Sequence, residues 1–169
     1  MNKKLVAFIA ILLCLELDST VFTRVNIADI RPDAMLAATV SFAILEGSFS
    51  GAVFGVIGGL LMDLLFGASL GLYGALYLAA GLAAGFFYKK FYADNLIVPM
   101  AAAAAAGFTK DLLLALIKLI GGARFPFAGL LLRYALPSAV MTALLCALIH
   151  ILFKRLLVRQ VMRRHPGLH

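Results

Sequence analysis

The sequence lacks tryptophan, has only two cysteines and has few charged residues, and these shortages exclude several classes of protein. Cys14 and Cys146 lie far apart in apolar runs, so they form neither a disulfide framework nor a metal-binding spacing. Charged residues make up 14% of the chain and hydrophobic residues 64%, with a mean hydropathy of +1.04. A soluble domain of 169 residues could not bury that much apolar surface, so the composition predicts an integral membrane protein.

Basic residues outnumber acidic ones by 15 to 8, an excess that also occurs in nucleic-acid-binding proteins. Here they concentrate at the ends of the apolar runs, which indicates that they orient the helices in the membrane and contact anionic lipid. No nucleic acid partner is predicted. Most of them lie in segments that a six-helix topology places in the cytoplasm. The positive-inside rule therefore predicts that both termini are cytoplasmic.

Six apolar runs separated by polar or glycine-containing turns predict an all-α membrane protein with six transmembrane helices. The first run follows Lys3 and Lys4 and lacks a cleavage site, so we interpret it as an uncleaved helix. The second has only twelve uncharged residues between Asp33 and Glu46, fewer than the ~20 of a full span. It is either a short helix sheltered by its neighbours or one that takes Glu46 into the inner interface. The helices are predicted at residues 5–22, 32–45, 48–66, 70–87, 95–119 and 130–153, in a single membrane domain (1–169) with a basic tail (154–169).

A column of small residues at four-residue steps marks the third predicted helix and the turn after it. Residues four apart lie on one face of an α-helix, and small side chains there let membrane helices approach closely. The column predicts either packing against another helix of this chain or an interface for a partner. It consists of Gly51, Gly55, Gly59, Asp63, Gly67 and Gly71, and Gly81 and Gly85 continue the pattern in the fourth predicted helix.

Charged residues inside the predicted helices form a second pattern. Asp63 and Lys110 each lie fifteen residues beyond the cytoplasmic start of their helices, which places both about 22 Å from that side. This matched depth predicts a salt bridge between them, with Asp18 or Glu16 as the alternative partner of Lys110. The charged residues inside the helices thus form one layer across the membrane. This layer is either a buried network that fixes helix register or the lining of a pocket open to the outside. It comprises Glu16, Asp18, Asp63, Lys110 and Asp111.

No catalytic, cofactor or metal site is predicted. Gly67-Ala68-Ser69-Leu70-Gly71 matches the nucleophile pattern G-x-S-x-G, which requires a preceding strand and a nearby histidine base. Here the pattern joins two membrane helices. His150 lies near the opposite membrane face and is interpreted as a polar residue near the inner interface. His165 and His169 have no metal-ligand spacing.

The tail after the sixth predicted helix interleaves basic and apolar residues, which predicts a helix that continues along the cytoplasmic membrane surface. Its basic side chains serve as a topology signal, as contacts for anionic lipid, or as both. Each contributes about 1 kcal/mol near an anionic surface. They are Lys154, Arg155, Arg159, Arg163 and Arg164.

Two sequence features together resemble the MreD family of the bacterial rod-shape machinery. The first is Arg31-Pro32-Asp33 at the start of the second predicted helix. The second is the block G-x-x-x-G-x-x-x-D-x-x-x-G-x-x-x-G from Gly55 to Gly71, which continues into Leu72-Tyr73. Length, six helices and a basic tail agree with the resemblance. Ala34, where the family often has leucine, is a small departure.

The resemblance implies a non-enzymatic scaffold of the peptidoglycan elongation complex in the bacterial inner membrane. The implied partners are an MreC-like single-span protein, the MreB filament, and RodA with its transpeptidase. It also implies a fold similar to the substrate-binding subunits of energy-coupling-factor vitamin transporters. Such a subunit is therefore the alternative function, and the acidic layer would suit a cationic ligand. Against it, the sequence has no clustered aromatic and asparagine residues of the kind that surround a ring-shaped vitamin.

Overall fold

The computed structural model describes residues 3–21, 32–66, 71–88, 96–122 and 131–164. This part of the chain is helical and has no strand, as the sequence predicts. Two short π-helical segments, Leu17–Val21 and Leu131–Ala135, adjoin α-helices. The α-helices are α1 (Lys3–Glu16), α2 (Ala34–Glu46), α3 (Ser48–Phe66), α4 (Leu72–Gly85), α5 (Ile97–Ile120) and α6 (Leu136–Arg164).

Several helix ends differ from the predicted ones. The first helix becomes π-helical at Leu17, and the second begins at Ala34 because Asp33 takes the N-cap position. The sixth was predicted to reach residue 153 and to continue as a helix into the basic tail, and α6 runs without a break to Arg164. The residues after Phe153 are mostly leucine, valine, arginine, glutamine and methionine, with no glycine or proline to end the helix.

Helix α2 lies at the centre of the structure and contacts each of the other α-helices. Every residue from Ala34 to Ala43 is buried, including the hydroxyl side chains of Thr39 and Ser41. Thr39 donates its hydroxyl to the Met35 carbonyl at 2.8 Å, which satisfies it within the helix. A helix that is buried on all sides has no lipid-facing stripe, and this explains why α2 is apolar all round.

A second group of core residues closes the far end of α2. Phe42 stacks on Phe54 of α3 with ring centroids 4.9 Å apart, and Phe153 of α6 packs edge-on against both at 6.0 and 6.4 Å. Offset and edge-to-face pairs of this kind are the favoured aromatic geometries. This aromatic group joins α2, α3 and α6.

The glycine column lies inside the fold, where α3 packs against α4 and α2. A Cβ atom added to Gly55 would lie 2.4 Å from the Tyr77 carbonyl oxygen, and one on Gly59 would lie 2.6 Å from the Tyr73 oxygen. A Cβ atom added to Gly81 would lie 2.5 Å from the Gly51 carbonyl oxygen. Only glycine permits such backbone contact, so these positions pack helices of this chain and are not an open partner surface.

The outer part of the predicted column behaves differently. Gly67 lies outside the described residues. Gly71 has φ +96°, the left-handed region that favours glycine, and no atom of the described residues lies within 4 Å of where its Cβ would be. Gly71 is therefore the N-cap residue of α4, and it lies in the turn that the sequence predicts after the third helix.

Among the described residues, three helices are long and apolar enough to cross a membrane, and they comprise Ser48–Leu65, Ile97–Ile120 and Arg133–Leu156. Helices α2 and α4 are apolar but shorter. Large hydrophobic side chains such as Phe49, Leu64 and Leu148 are exposed on the outer helix faces, as lipid-facing residues are in membrane proteins. Pro137 lies in the first turn of α6, where a proline is tolerated, and follows the π-helical segment Leu131–Ala135.

Candidate functional site

Two carboxylates bind the backbone at the buried start of α2. Asp18, in the π-helical turn after α1, accepts hydrogen bonds from the N–H groups of Ala34 at 2.8 Å and Met35 at 3.0 Å. Asp33, the N-cap residue, accepts the N–H of Leu36 at 2.7 Å. The first helical N–H groups have no partner within the helix, so these two side chains supply the acceptors that a buried helix end requires.

The other oxygen of Asp33 joins α2 to two further helices. Asp33 Oδ2 accepts the Tyr77 hydroxyl of α4 at 2.6 Å and lies 2.6 Å from Lys110 Nζ of α5. The Asp33 N–H donates to the Thr142 hydroxyl of α6 at 3.2 Å. Lys110 Nζ also lies 3.4 Å from Asp111. A cation and two carboxylates thus share one buried position, which we call the Asp33 cluster (Asp33, Tyr77, Lys110, Asp111, Thr142).

Asp63 performs the same task at the start of α4. Its Oδ1 accepts the N–H of Tyr73 at 3.0 Å, and its Oδ2 accepts those of Gly71 at 3.0 Å and Gly74 at 2.9 Å. The N-cap residue itself is glycine and has no side chain to offer. Asp63, which is 2% exposed, therefore caps α4 from the preceding helix, where the positive end of the helix dipole also stabilises its charge.

The predicted salt bridge between Asp63 and Lys110 is wrong. Lys110 pairs with Asp33 and Asp111, while Asp63 is occupied by backbone N–H groups. The alternatives considered for Lys110, Asp18 and Glu16, are not its salt-bridge partners either among the described residues. Asp18 binds the start of α2, and Glu16 is exposed and accepts the Thr20 hydroxyl at 3.4 Å.

Comparison with known families decides what kind of protein carries this arrangement. The chain matches the family of the rod shape-determining protein MreD over residues 1–161. The chain belongs to the MreD family. This confirms the resemblance seen in Arg31-Pro32-Asp33 and in the glycine block. No curated protein and no solved structure matches the chain.

Membership of the MreD family gives the chain a role in rod-shape determination. The family is membrane-associated and structural, and it is not known for catalysis. The three long apolar helices fit a transmembrane protein of the elongation machinery. Asp18, Asp33, Asp63 and Lys110 all lie within the matched residues, so both capping sites belong to the MreD part of the chain.

The remaining polar residues of this MreD-family chain form no catalytic arrangement in the described part. Ser69 of the G-x-S-x-G pattern, His165 and His169 lie outside the described residues. His150 is buried, and its Nδ1 has no hydrogen-bond partner among the described residues. Within the same residues, no group of three or more histidine, cysteine, aspartate or glutamate side chains is placed to hold a metal ion.

Sequence reasoning missed Tyr77 and Thr142, and it assigned Asp33 to the helix end only. Arg31 lies outside the described residues, and Pro32 is half-buried just before the N-cap. The available signal was the Pro-Asp pair itself. An aspartate is common at an N-cap, but here it begins a short and mostly apolar helix that is expected to be buried. Its second carboxylate oxygen is then buried as well and requires hydrogen-bond donors.

An apolar groove separates α4 from α5 in this MreD-family structure. Its volume is about 320 Å³. The walls carry mostly alanine, with Leu76 on α4, Phe87 just after the end of α4, and Thr109, Lys110 and Leu113 on α5. Lys110 thus lies at the junction between the groove and the Asp33 cluster.

Proposed function

We propose that the chain is a non-enzymatic scaffold of the peptidoglycan elongation complex. In this proposal it binds an MreC-like single-span protein and assembles with RodA, its transpeptidase and the MreB filament in the bacterial inner membrane. Family membership supports the cellular role. The observation that favours a scaffold is the use of the polar groups: Asp18, Asp33 and Asp63 each hold a helix end in place.

The same observation weighs against a vitamin-binding subunit. A pocket for a cationic ligand needs acceptor groups that face the ligand, and here those carboxylates accept hydrogen bonds from the protein itself. The groove between α4 and α5 is almost wholly apolar. The structure therefore offers a better surface for a helix than for a ring-shaped vitamin.

Depletion of the chain in its own bacterium tests the proposed role. Cells should lose their rod shape, and the MreC protein of that bacterium should co-purify with the tagged chain in mild detergent. A vitamin requirement with normal shape would instead support the transporter subunit. Cells of normal shape, together with no co-purification of MreC, would contradict the scaffold.

The proposal includes a topology of six membrane-crossing segments with both termini in the cytoplasm. Helices α2 and α4, at 13 and 14 residues, rise only about 20 Å and so fall short of the ~30 Å hydrocarbon core. Their capped ends must therefore lie within the membrane and be covered by neighbouring helices. Reporter fusions after Lys90 and Arg159 should report cytoplasm, and fusions after Arg124 the outside. A cytoplasmic signal at Arg124 would exclude this topology.

The basic tail is proposed to bind anionic lipid along the cytoplasmic surface, and the continuation of α6 to Arg164 supports this. Replacement of Arg159, Arg163 and Arg164 by glutamine should weaken binding to vesicles that contain phosphatidylglycerol, with a loss that grows smaller at high salt. The control uses vesicles of neutral phosphatidylcholine. Unchanged vesicle binding, insertion and complex assembly would contradict the lipid role.

A further inference from the structure

The groove between α4 and α5 has the length and relief of a helix-binding surface. On α5 the wall runs from Ala102 to Leu113, about 16 Å or three helical turns. Alanines recur on both walls at three- and four-residue spacing. Such spacing lets a third helix approach the backbone of both walls. The alanines of the two walls are Ala79, Ala80, Ala83 and Ala84 on α4, and Ala102, Ala105 and Ala106 on α5.

The two walls are held apart by the Asp33 cluster. Helices α4 and α5 touch each other at few points, yet both bind Asp33, through Tyr77 and Lys110 respectively. Asp33, the N-cap residue of α2, thus links the two walls of the groove.

Lys110 indicates which kind of occupant suits the groove. An ammonium group has three N–H donors, and among the described residues Asp33 and Asp111 account for two of them. Lys110 also lines the groove, so an acceptor on the occupant would complete its hydrogen bonds. An acyl chain of a lipid carries no such acceptor.

A lipid headgroup is excluded by depth. Lys110 lies thirteen residues beyond Ile97, which places it about 20 Å from the cytoplasmic end of α5 in the proposed topology. That position is well inside the ~30 Å hydrocarbon core, below the level of the outer headgroups. At this depth a polar side chain of a membrane-crossing helix can supply the acceptor.

We propose that this groove is the docking site for the transmembrane helix of the single-span partner. That helix packs bulky aliphatic side chains against the alanines and carries one hydrogen-bond acceptor, such as an amide, hydroxyl or carboxylate side chain, at the level of Lys110. The inference rests on the proposed function, because it requires that a single-span partner exists.

Leucine substitutions in the groove test the location. Ala83 and Ala105 are exposed in the groove walls, so Ala83→Leu and Ala105→Leu fill the groove without entering the core. Each should reduce co-purification of the MreC protein by about tenfold or more, since overpacked contacts weaken association. Ala75→Leu and Ala101→Leu are the matched controls, because both alanines are exposed on the same helices but outside the groove.

The outcomes separate the two proposals. If the unmodified chain retains MreC and both groove variants retain it equally well, the groove is not the docking site, although the scaffold proposal stands. If the unmodified chain itself does not retain MreC, the proposed partner is wrong and the groove proposal fails with it. Elution of every variant as a single detergent-solubilised species checks folding.

Photo-crosslinking supplies the second readout, which does not depend on a destabilising change. A benzoylphenylalanine at position 105 should crosslink to the transmembrane segment of MreC, and one at position 101 should not. The crosslinked MreC residue should lie within about two helical turns of a polar side chain, because position 105 is five residues from Lys110. Crosslinks to lipid alone, to a second copy of this chain, or to a wholly aliphatic segment would overturn the proposal.

Discussion

Replacement of Lys110 by methionine removes the cation of the Asp33 cluster and keeps most of its apolar stem. Asp33 is 6% exposed and would then have as donors in the described cluster only the Tyr77 hydroxyl and the Leu36 N–H. Removal of one partner from a buried ion pair typically costs about 3–5 kcal/mol, because the other charge stays buried without compensation. The positive end of α2 offsets part of this charge, so we expect a loss near 3 kcal/mol.

A double-mutant cycle separates this loss from general damage. Asp33→Asn removes the charge, while its amide oxygen can still accept the Leu36 N–H and its NH2 group can donate to the Tyr77 hydroxyl oxygen. Asp33→Asn combined with Lys110→Met should therefore recover much of the stability. The coupling free energy should exceed about 1 kcal/mol. The matched control pairs Lys110→Met with Asp63→Asn. Their effects should add within about 0.5 kcal/mol, since Asp63 binds backbone at the start of α4.

The measurement is the free energy of unfolding in mixed detergent micelles, followed by circular dichroism. All variants are compared in the same detergent, so that only differences between them are used. Additive effects of Asp33→Asn and Lys110→Met would refute the buried pair. A coupling of similar size between Asp63 and Lys110 would restore the pairing that the structure contradicts.

The same assay tests three further contacts. Gly55→Ala places a Cβ atom 2.4 Å from the Tyr77 carbonyl oxygen and should lower the free energy of unfolding by about 1–3 kcal/mol. Gly107→Ala is the control, because the nearest described atom to its Cβ lies 3.7 Å away. This variant should be neutral or stabilising by up to about 1 kcal/mol. Equal stability of the two variants would contradict the close helix packing. Asp63→Ala leaves three N–H groups at the start of α4 without their acceptor and should lower the free energy of unfolding by at least about 2 kcal/mol. Asp63→Asn should lower it by less. Losses of equal size in the two variants would contradict the capping role. Tyr77→Phe removes a donor from the buried Asp33 carboxylate and should cost about 1.5–3 kcal/mol, and an unchanged stability would show that this hydrogen bond contributes nothing.

The course of the chain was largely predictable because its signals are local. Helix α3 begins and ends at the predicted residues, Ser48 and Phe66, where a glycine adjoins each end. The continuation of α6 into the basic tail was also predictable, because basic and apolar residues interleave there. The change from apolar to basic residues marks the membrane surface, and a helix can cross it without a break.

The site was less predictable because its contacts join distant parts of the chain. Depth along a helix was the only coordinate available, and it put Asp63 and Lys110 at one level. It could not tell which helices are neighbours or in which direction each side chain points. The glycine spacing likewise predicted close packing but did not identify α4 as the partner of α3. In both cases the missing information was the arrangement of helices around α2.

The enclosed position of α2 has a consequence for how the protein enters the membrane. A helix of 13 residues with buried hydroxyl groups at Thr39 and Ser41 is a poor candidate to partition into lipid alone. Its first N–H groups find an acceptor in Asp18, made earlier in translation, but Tyr77, Lys110 and Thr142 are made later. We therefore expect α2 to remain loosely inserted, or outside the bilayer, until α6 has left the ribosome. Nascent chains that stop before Thr142 should accordingly leave α2 open to water-soluble labels.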